Sequence, residues 1–91
     1  MSKVMINGRI AGKPSAETGA NYTKFEIPVL QDGKEETILV ETYGLHSLMN
    51  MLKVGMKVNI LADRRTRRIG GEGMNEKFMY TYSADSIAME V

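Results

Sequence analysis

The sequence predicts an all-β fold, in which five strands close into a Greek-key barrel and one short helix lies between the third and fourth strands. Three observations indicate this fold. Five segments alternate apolar with polar residues or concentrate β-branched residues, as strands do. One segment, residues 45–55, has apolar residues at helical spacing instead. With 91 residues the chain predicts one small domain, residues 1–91, and a barrel protects its sheet edges with little material.

The first predicted strand covers residues 3–11. There Val4, Ile6 and Ile10 fall on one side of an extended chain, and mostly polar residues fall on the other. Gly8 interrupts this pattern, and a glycine inside a strand permits a bend or the close approach of another backbone. The segment is therefore predicted to be a half-buried strand with a bend or a close backbone approach at Gly8.

A loop, a second strand and a hairpin are predicted next. Residues 13–21 are rich in proline, serine, glycine and asparagine, which indicates a loop. Residues 22–31 form the second strand, in which Pro28 lacks a ladder donor and so favours a sheet edge or a bulge. The Asp-Gly pair that follows is a strong hairpin signal, and residues 35–44 form the third strand.

A short amphipathic helix is predicted over residues 45–55, with Gly55 as its stop. Its apolar stripe at positions i, i+3, i+4 and i+7 consists of Leu45, Leu48, Met49 and Leu52. The fourth strand, residues 56–69, is much longer than average and therefore bends or projects beyond the sheet. A glycine-rich loop over 70–77 leads to the fifth strand over 78–91.

Five strands with one helix between the third and fourth define the OB fold. A split barrel of another topology and an open α+β sheet are the alternatives.

Basic residues are concentrated in one segment. Residues 53–69 contain six basic groups and one acidic group, a local charge of +5, whereas the rest of the chain carries −4 and the whole chain +1. A concentrated field steers an anionic partner better than a dispersed one. A solvated strand face is the simpler interpretation of an arginine run, and the composition alone leaves both open.

Four segments in order carry a family resemblance: SKVMINGRIAGKP (2–14), VETYGLHSLMNMLKVGMKVNI (40–60), RTRR (65–68) and YSADSIAMEV (82–91). Together they resemble the bacterial and phage single-stranded DNA-binding proteins of the SSB type over nearly the whole chain. The resemblance implies an OB-fold, nucleic-acid-binding domain that assembles into dimers or tetramers through a strand of its first sheet.

The chain also departs from that family. Members commonly stack bases on tryptophans, whereas this chain has none and carries Ile69 where an aromatic residue often follows the arginine run. Because the sequence ends at Val91, the resemblance implies a short form without the acidic C-terminal tail that recruits replication proteins. Such a form resembles proteins of phages or mobile elements, and also the primosomal OB-fold accessory proteins.

The arginine run supplies the main candidates for nucleic-acid binding. Arginine pairs bidentately with phosphate, and its plane stacks on bases. Because neighbouring strand residues point to opposite faces, Arg65 and Arg67 form one pair, while Arg64 and Arg68 supplement it or serve solubility. The resemblance implies further cations beside the groove, each of which can equally be a solvated surface residue: Lys3, Lys13, Lys24 and Lys77.

The aromatic residues divide into core and stacking candidates. Tyr43, in the Thr-Tyr-Gly step, is the base-stacking residue that the resemblance implies. Phe78, Tyr80 and Tyr82 alternate in phase, so they predict either one wall of the core, which is favoured, or a stacking platform to which Tyr80 contributes. Phe25 is predicted to lie in the core.

We therefore expect non-enzymatic, largely sequence-independent binding of single-stranded DNA in replication, recombination or repair. Two alternatives remain at this stage. The first is an accessory module of the primosomal type that contacts replication proteins, which the missing tryptophans favour. The second is an RNA-binding OB domain, because a cationic groove with stacking groups does not by itself inspect the 2′-hydroxyl.

Residues for catalysis, metal or cofactor binding are not predicted. His46 is the sole histidine and cysteine is absent, so zinc ligands are lacking. Glu35 and Glu36 are adjacent in a strand and point to opposite faces. The glycines of residues 70–73 precede a strand, unlike a dinucleotide fingerprint, which opens a helix. We expect no enzyme, no cofactor, no membrane association and a cytoplasmic location, which the lack of cysteine suits.

Overall fold

The computed structural model describes residues 2–44, 46–69 and 77–90, except for the side chains of residues 46, 67–69 and 77–78. Its elements are six strands and one short helix: β1 Ser2–Ile10, β2 Ser15–Thr18, β3 Thr23–Gln31, β4 Thr37–Tyr43, α1 His46–Met49, β5 Lys57–Ile69 and β6 Lys77–Met89. Across these described ranges, no helix is long and apolar enough to cross a bilayer.

Five of the strands close into a ring, which confirms the predicted OB-fold barrel. The order around the ring is β1-β5-β6-β4-β3, and β3 pairs back onto β1. The pairing of β4 with β6 is parallel, and the others in the ring are antiparallel. The helix lies between the third and fourth strands of the ring in chain order, as predicted. Because the ring closes, the open sheet is excluded.

Closure of the ring depends on β1, which changes its neighbour along its length. Its residues from Ser2 to Arg9 pair with β5, and its residues from Gly8 to Ile10 pair with β3. Where the two ladders overlap, a β-carbon added to Gly8 would collide with the carbonyl oxygen of Leu30. The close backbone approach predicted at this glycine is confirmed.

The core lies inside the ring and is built from alternate residues of the strands. Its buried hydrophobic residues are Ile6, Ile10, Ile27, Val29, Ile38, Val40, Met49, Leu52, Val58, Ile60 and Ala62. Full burial of a valine or isoleucine side chain contributes about 1.5–3 kcal/mol, so this cluster dominates the stability of the barrel. Phe25 packs against the cluster, as predicted, and so does Tyr82.

The loop predicted over residues 13–21 is wrong in part, because it contains the strand β2. All four residues of β2 are exposed, and they pair with β3 from Ser15↔Glu26 to Thr18↔Thr23. A strand without a buried face has no apolar alternation to reveal it. Its formation depends on backbone hydrogen bonds to the edge of β3, which only the folded sheet provides.

The helix predicted over residues 45–55 is also too long, since α1 ends at Met49. Leu52 lies beyond the helix yet is buried, so the apolar spacing indicated which side chains enter the core and not how far the helix extends. Gly55, the predicted stop, instead donates its N–H to the carbonyl oxygen of Ile10 at 2.8 Å. This bond ties the segment after the helix to the end of β1.

Pro28 lies inside the sheet, neither at an edge nor at a bulge. It pairs with Leu39 of β4 on one side, and its carbonyl oxygen accepts from the N–H of Ala11 at 2.9 Å on the other. The N–H and C=O of one strand residue point the same way. On that side, β3 pairs with β2 up to Glu26 and with β1 from Val29 onward. Pro28 lies between these two ladders, so its lack of an N–H removes no hydrogen bond from either of them.

The last two strands extend beyond the barrel, as the length of the fourth predicted strand indicated. β1 pairs with β5 only as far as Arg64, and β4 pairs with β6 only at Tyr82 and Ser83. Residues 65–69 and 77–81 pair with each other and, in the described chain, with no further strand. These two ranges, together with Arg64 where they leave the barrel, are called the arm.

Candidate nucleic-acid interface

The arginine run lies on β5 where the arm leaves the barrel. Arg64 pairs with Tyr82 and Arg65 pairs with Thr81, so these two adjacent arginines belong to opposite faces of the arm. By backbone register Arg67 lies opposite Met79 and Arg68 lies opposite Phe78. The side chains of Arg67 and Arg68 are outside the described residues, so the choice of Arg65 and Arg67 as the leading pair stays a prediction.

Arg64 stacks on an exposed tyrosine of the neighbouring strand. Its guanidinium carbon lies 4.7 Å from the centroid of the Tyr80 ring, a cation–π contact between diagonal residues of one face. The tyrosine remains 53% exposed. A guanidinium held in this way keeps hydrogen-bond donors for an oxyanion, because stacking occupies its face and not its edge.

The aromatic alternation of β6 therefore divides between two environments. Tyr82 packs against the core, in agreement with the favoured interpretation, whereas Tyr80 is exposed beside Arg64. The change occurs because β4 pairs with β6 at Tyr82 but not at the residues before it. The side chain of Phe78 lies outside the described residues.

An open groove of about 400 Å³ lies where the arm and β4 diverge. Its lining consists of Glu36, Thr37, Ile38, Leu39, Met79, Tyr80 and Tyr82. Two aliphatic side chains in it are largely exposed, Leu39 at 54% and Met79 at 55%. The groove is therefore mainly apolar, and Tyr80, on which Arg64 stacks, forms part of one wall.

Lys3 is held by carboxylates of its own chain. Its ammonium forms an ion pair with Asp63 at 3.1 Å and a hydrogen bond with Asp85. The hydrogen bond that Lys3 donates to Asp85, followed by the one that it donates to Asp63, raises the pKa of Lys3. Two negative charges surround this one positive charge, so the site offers little attraction to a phosphate.

Lys24 is held by three carboxylates, on the face formed by β2, β3 and β4. Its ammonium lies 3.2 Å from Glu17, 3.7 Å from Glu41 and 4.0 Å from Glu26. The hydrogen bond with Glu17, followed by the charge of Glu41, raises the pKa of Lys24. We call these four residues the lysine–glutamate cluster, and its formal charge is negative.

The other predicted site residues are scattered. Lys13 is exposed in the segment before β2, and the side chain of Lys77 is outside the described residues. Tyr43 is 52% exposed at the last residue of β4, whereas the groove lies at the first residues of that strand. The structure thus brings together Arg64 and Tyr80, with Arg65 next along the chain.

Two residues near these sites were missed from the sequence. Leu39 lines the groove, and Tyr22 contacts Tyr43 with ring centroids 6.0 Å apart and planes at 63°. The alternation of β4 already places Leu39 outside the core, which was the available signal. Nothing in the sequence indicates the contact of Tyr22, because it depends on the pairing of β3 with β4.

Comparison with solved structures identifies the fold. No protein-family profile matches the sequence, and no curated protein matches it. A mitochondrial single-stranded DNA-binding protein of S. cerevisiae, Rim1, superposes with a TM-score of 0.76 and 21% identity over 97% of this chain and 93% of that one. The chain has the fold of single-stranded DNA-binding proteins.

Two bacterial proteins share this fold. The small single-stranded DNA-binding protein of Streptomyces coelicolor matches with a TM-score of 0.74 and 18% identity, over 99% of this chain and 94% of that one. The second single-stranded DNA-binding protein of Mycobacterium smegmatis gives 0.72 and 14%, over 99% and 87%. The fold is therefore common to proteins whose sequences differ at most positions.

Proposed function

We propose that this protein binds single-stranded DNA without catalysis and with little sequence preference, through the arm and the groove beside it. The observation that carries the proposal is the Arg64–Tyr80 pair, a cation stacked on an exposed ring at the edge of an apolar groove. The fold shared with proteins described as single-stranded DNA-binding supports it.

The chemistry of the arm suits both parts of a flexible nucleic acid. Arg64 offers guanidinium donors to a phosphate on one face of β5, and Arg65 adds a second positive charge on the opposite face. Tyr80, Leu39 and Met79 offer exposed apolar surface to bases, and every base has a face that stacks irrespective of sequence. Binding of this kind needs no metal or cofactor. We include in the proposal a role in replication, recombination or repair, in the cytoplasm.

A salt-dependent titration of labelled oligo-dT tests the proposal. If three to four phosphates are contacted, log K falls with log[salt] at a slope of about −2 to −3. Duplex DNA and oligo-U of the same length run in parallel, since a preference for oligo-U would favour the RNA-binding alternative. A dissociation constant weaker than millimolar at low salt for all three ligands would refute nucleic-acid binding altogether.

We further propose that the chain forms a homodimer through the free edge of β1. Residues 2–7 pair with β5 on one side only among the described strands, and Met5 on this strand is 58% exposed. The carbonyl oxygen of Asn7 accepts from Asp32 on the other side, so the backbone groups of Met5 point the same way. An open edge of this kind is a template for pairing with a second copy.

Light scattering with Met5→Pro tests this assembly. The substitution removes one edge donor without removing a bond to β5, so we expect a dimer for the native chain and a monomer for the variant. Met5→Val, which keeps the donor, is the control. A native chain that is monomeric at micromolar concentration would contradict the proposal.

A further inference from the structure

Two tyrosines form a second exposed aromatic site, at the end of β4 opposite to the groove. Tyr22 is 51% exposed and Tyr43 is 52% exposed, and their rings meet edge to face at 6.0 Å and 63°. Four steps along β4 lead from Leu39, the last residue of this strand in the groove, to Tyr43, a distance of about 13 Å at about 3.3 Å per residue. The tyrosine pair is thus a separate site and not an extension of the groove.

The backbone determines where the ring of Tyr22 lies. The N–H of Gly19 donates to the carbonyl oxygen of Tyr22 at 2.8 Å, which closes a tight turn between β2 and β3. The Tyr22 ring covers Gly19 so closely that a β-carbon added to this glycine would collide with ring atoms. The ring is therefore positioned before any ligand arrives, which lowers the entropy lost on binding.

The charges around the tyrosine pair determine what part of a nucleic acid it can contact. Lys24 lies opposite Tyr43 in the pairing of β3 with β4, and its ammonium is surrounded by Glu17, Glu26 and Glu41. One positive charge among three negative charges repels a phosphate. A base has no net charge, and an exposed aromatic ring is a good stacking partner for it.

We propose that Tyr22 positions the ring of Tyr43, the stacking residue that the family resemblance implies, and that the pair contacts one nucleobase and no phosphate. This inference rests on the proposed function, since a nucleobase arrives here only as part of a strand that the arm also holds. It assigns a role to Tyr22 and divides the contacts with the nucleic acid into two kinds. The arm holds phosphates and bases, and the tyrosine pair holds a base alone.

Binding of oligo-dT and of a sugar-phosphate oligomer of the same length without bases separates the two kinds of contact. We expect Tyr22→Ala and Tyr43→Ala each to weaken oligo-dT binding by roughly five- to 150-fold, the range for one stacked base, while binding of the abasic oligomer is unchanged. The double variant should lose little more than either single one, because one base is involved. The slope of log K against log[salt] should equal that of the native chain.

Three further variants test the positioning role. Tyr22→Phe and Tyr43→Phe retain the rings and should bind like the native chain. Gly19→Ala displaces the Tyr22 ring while both tyrosines remain, so it should weaken oligo-dT binding as Tyr22→Ala does. Urea unfolding of each variant checks that the barrel is intact.

Two results would overturn the inference while leaving the proposed function standing. One is native-like oligo-dT binding by Tyr22→Ala, and the other is an equal loss of oligo-dT and abasic binding together with a changed salt slope. A native chain that binds neither oligomer would instead refute the proposed function, and this inference with it.

Discussion

The arm and the β2–β3–β4 face both display charged and aromatic side chains, yet their cations have opposite surroundings. In the arm, the guanidinium of Arg64 lies over the ring of Tyr80 beside an apolar groove. On the face, the ammonium of Lys24 lies among three carboxylates within 4.0 Å. The number of cations on a surface therefore does not locate an anion site, because neighbouring carboxylates decide whether a cation still attracts anions.

The different chemistry of arginine and lysine explains why the arm and the β2–β3–β4 face differ. An arginine plane stacks on an aromatic ring and retains donors at its edge, so it can hold a base-like surface and a phosphate at once. A lysine is a compact charge, and carboxylates within 4.0 Å neutralise it in Lys3 and Lys24. Five sets of variants, in decreasing order of expected effect, test this difference between the arm and the face.

Removing the two arm arginines should have the largest effect on binding. Hydrogen bonds to charged groups contribute about 1.5–3 kcal/mol each, so Arg64→Ala with Arg65→Ala should weaken oligo-dT binding at least about a hundredfold. The salt slope should become less negative by about 0.7 for each phosphate that the variant no longer neutralises. Arg9→Ala is the matched control, since Arg9 donates to the carbonyl oxygen of Gly55. Equal weakening in both variants would mean that the arm is not the cationic site.

Removing the ring beneath Arg64 should have a smaller effect. Tyr80→Ala loses about 1–3 kcal/mol of stacking, whereas Tyr80→Phe keeps the ring and should bind like the native chain. Fluorescence anisotropy of labelled oligo-dT measures both. Because Tyr80 is half exposed, Tyr80→Phe should change the free energy of unfolding by less than about 0.5 kcal/mol, and Tyr80→Ala should lower it by only about 1 kcal/mol. A native-like Tyr80→Ala would show that the groove does not receive bases.

Changing the charge of the lysine–glutamate cluster should produce a still smaller effect, of opposite sign. Glu41→Gln removes one carboxylate near the path between the groove and Tyr43, so binding should strengthen by roughly two- to fivefold at low salt. The gain should vanish near 1 M salt, where the screening length is about 3 Å.

A substitution of Lys24 tests whether this lysine only neutralises the neighbouring glutamates or contacts a phosphate directly. If Lys24 acts only through its charge at a distance, Lys24→Met should weaken oligo-dT binding by about the factor by which Glu41→Gln strengthens it, roughly two- to fivefold at low salt. A loss of about tenfold or more, the size expected for a hydrogen bond to a charged group, would instead support Lys24 as a phosphate contact, the role that the family resemblance implies.

The smallest effect should be the alkaline dependence of stability contributed by Lys3. Its pKa is raised in the folded protein, so its ion pairs stabilise the fold fully below the ordinary value of 10.5 and lose that contribution as pH rises through the folded pKa. The urea midpoint of the native chain should therefore fall more steeply above about pH 10.5 than that of Lys3→Met. Lys34→Met, which removes a lysine that does not contact Asp63 or Asp85, is the control. Parallel curves for native chain and Lys3→Met would contradict the assignment.

Much of the barrel could be predicted from the sequence, because burial imposes a period that residues such as Ile6, Ile27 and Val40 display directly. The close approach at Gly8 and the positive φ of Gly33 in the hairpin could also be predicted, because a glycine inside a strand and an Asp-Gly pair are local signals. The arginine run and its division between two faces also followed from strand alternation.

Contacts between distant segments could be decided only by the tertiary structure. The strand β2 forms on the edge of β3, Lys24 gathers carboxylates from three strands, and Tyr22 meets Tyr43 across a ladder. In each case the partners are set by strand register, which a single sequence does not display. Alternation along one strand reveals which side chains face out, whereas the charge and shape of a surface depend on which strands lie side by side.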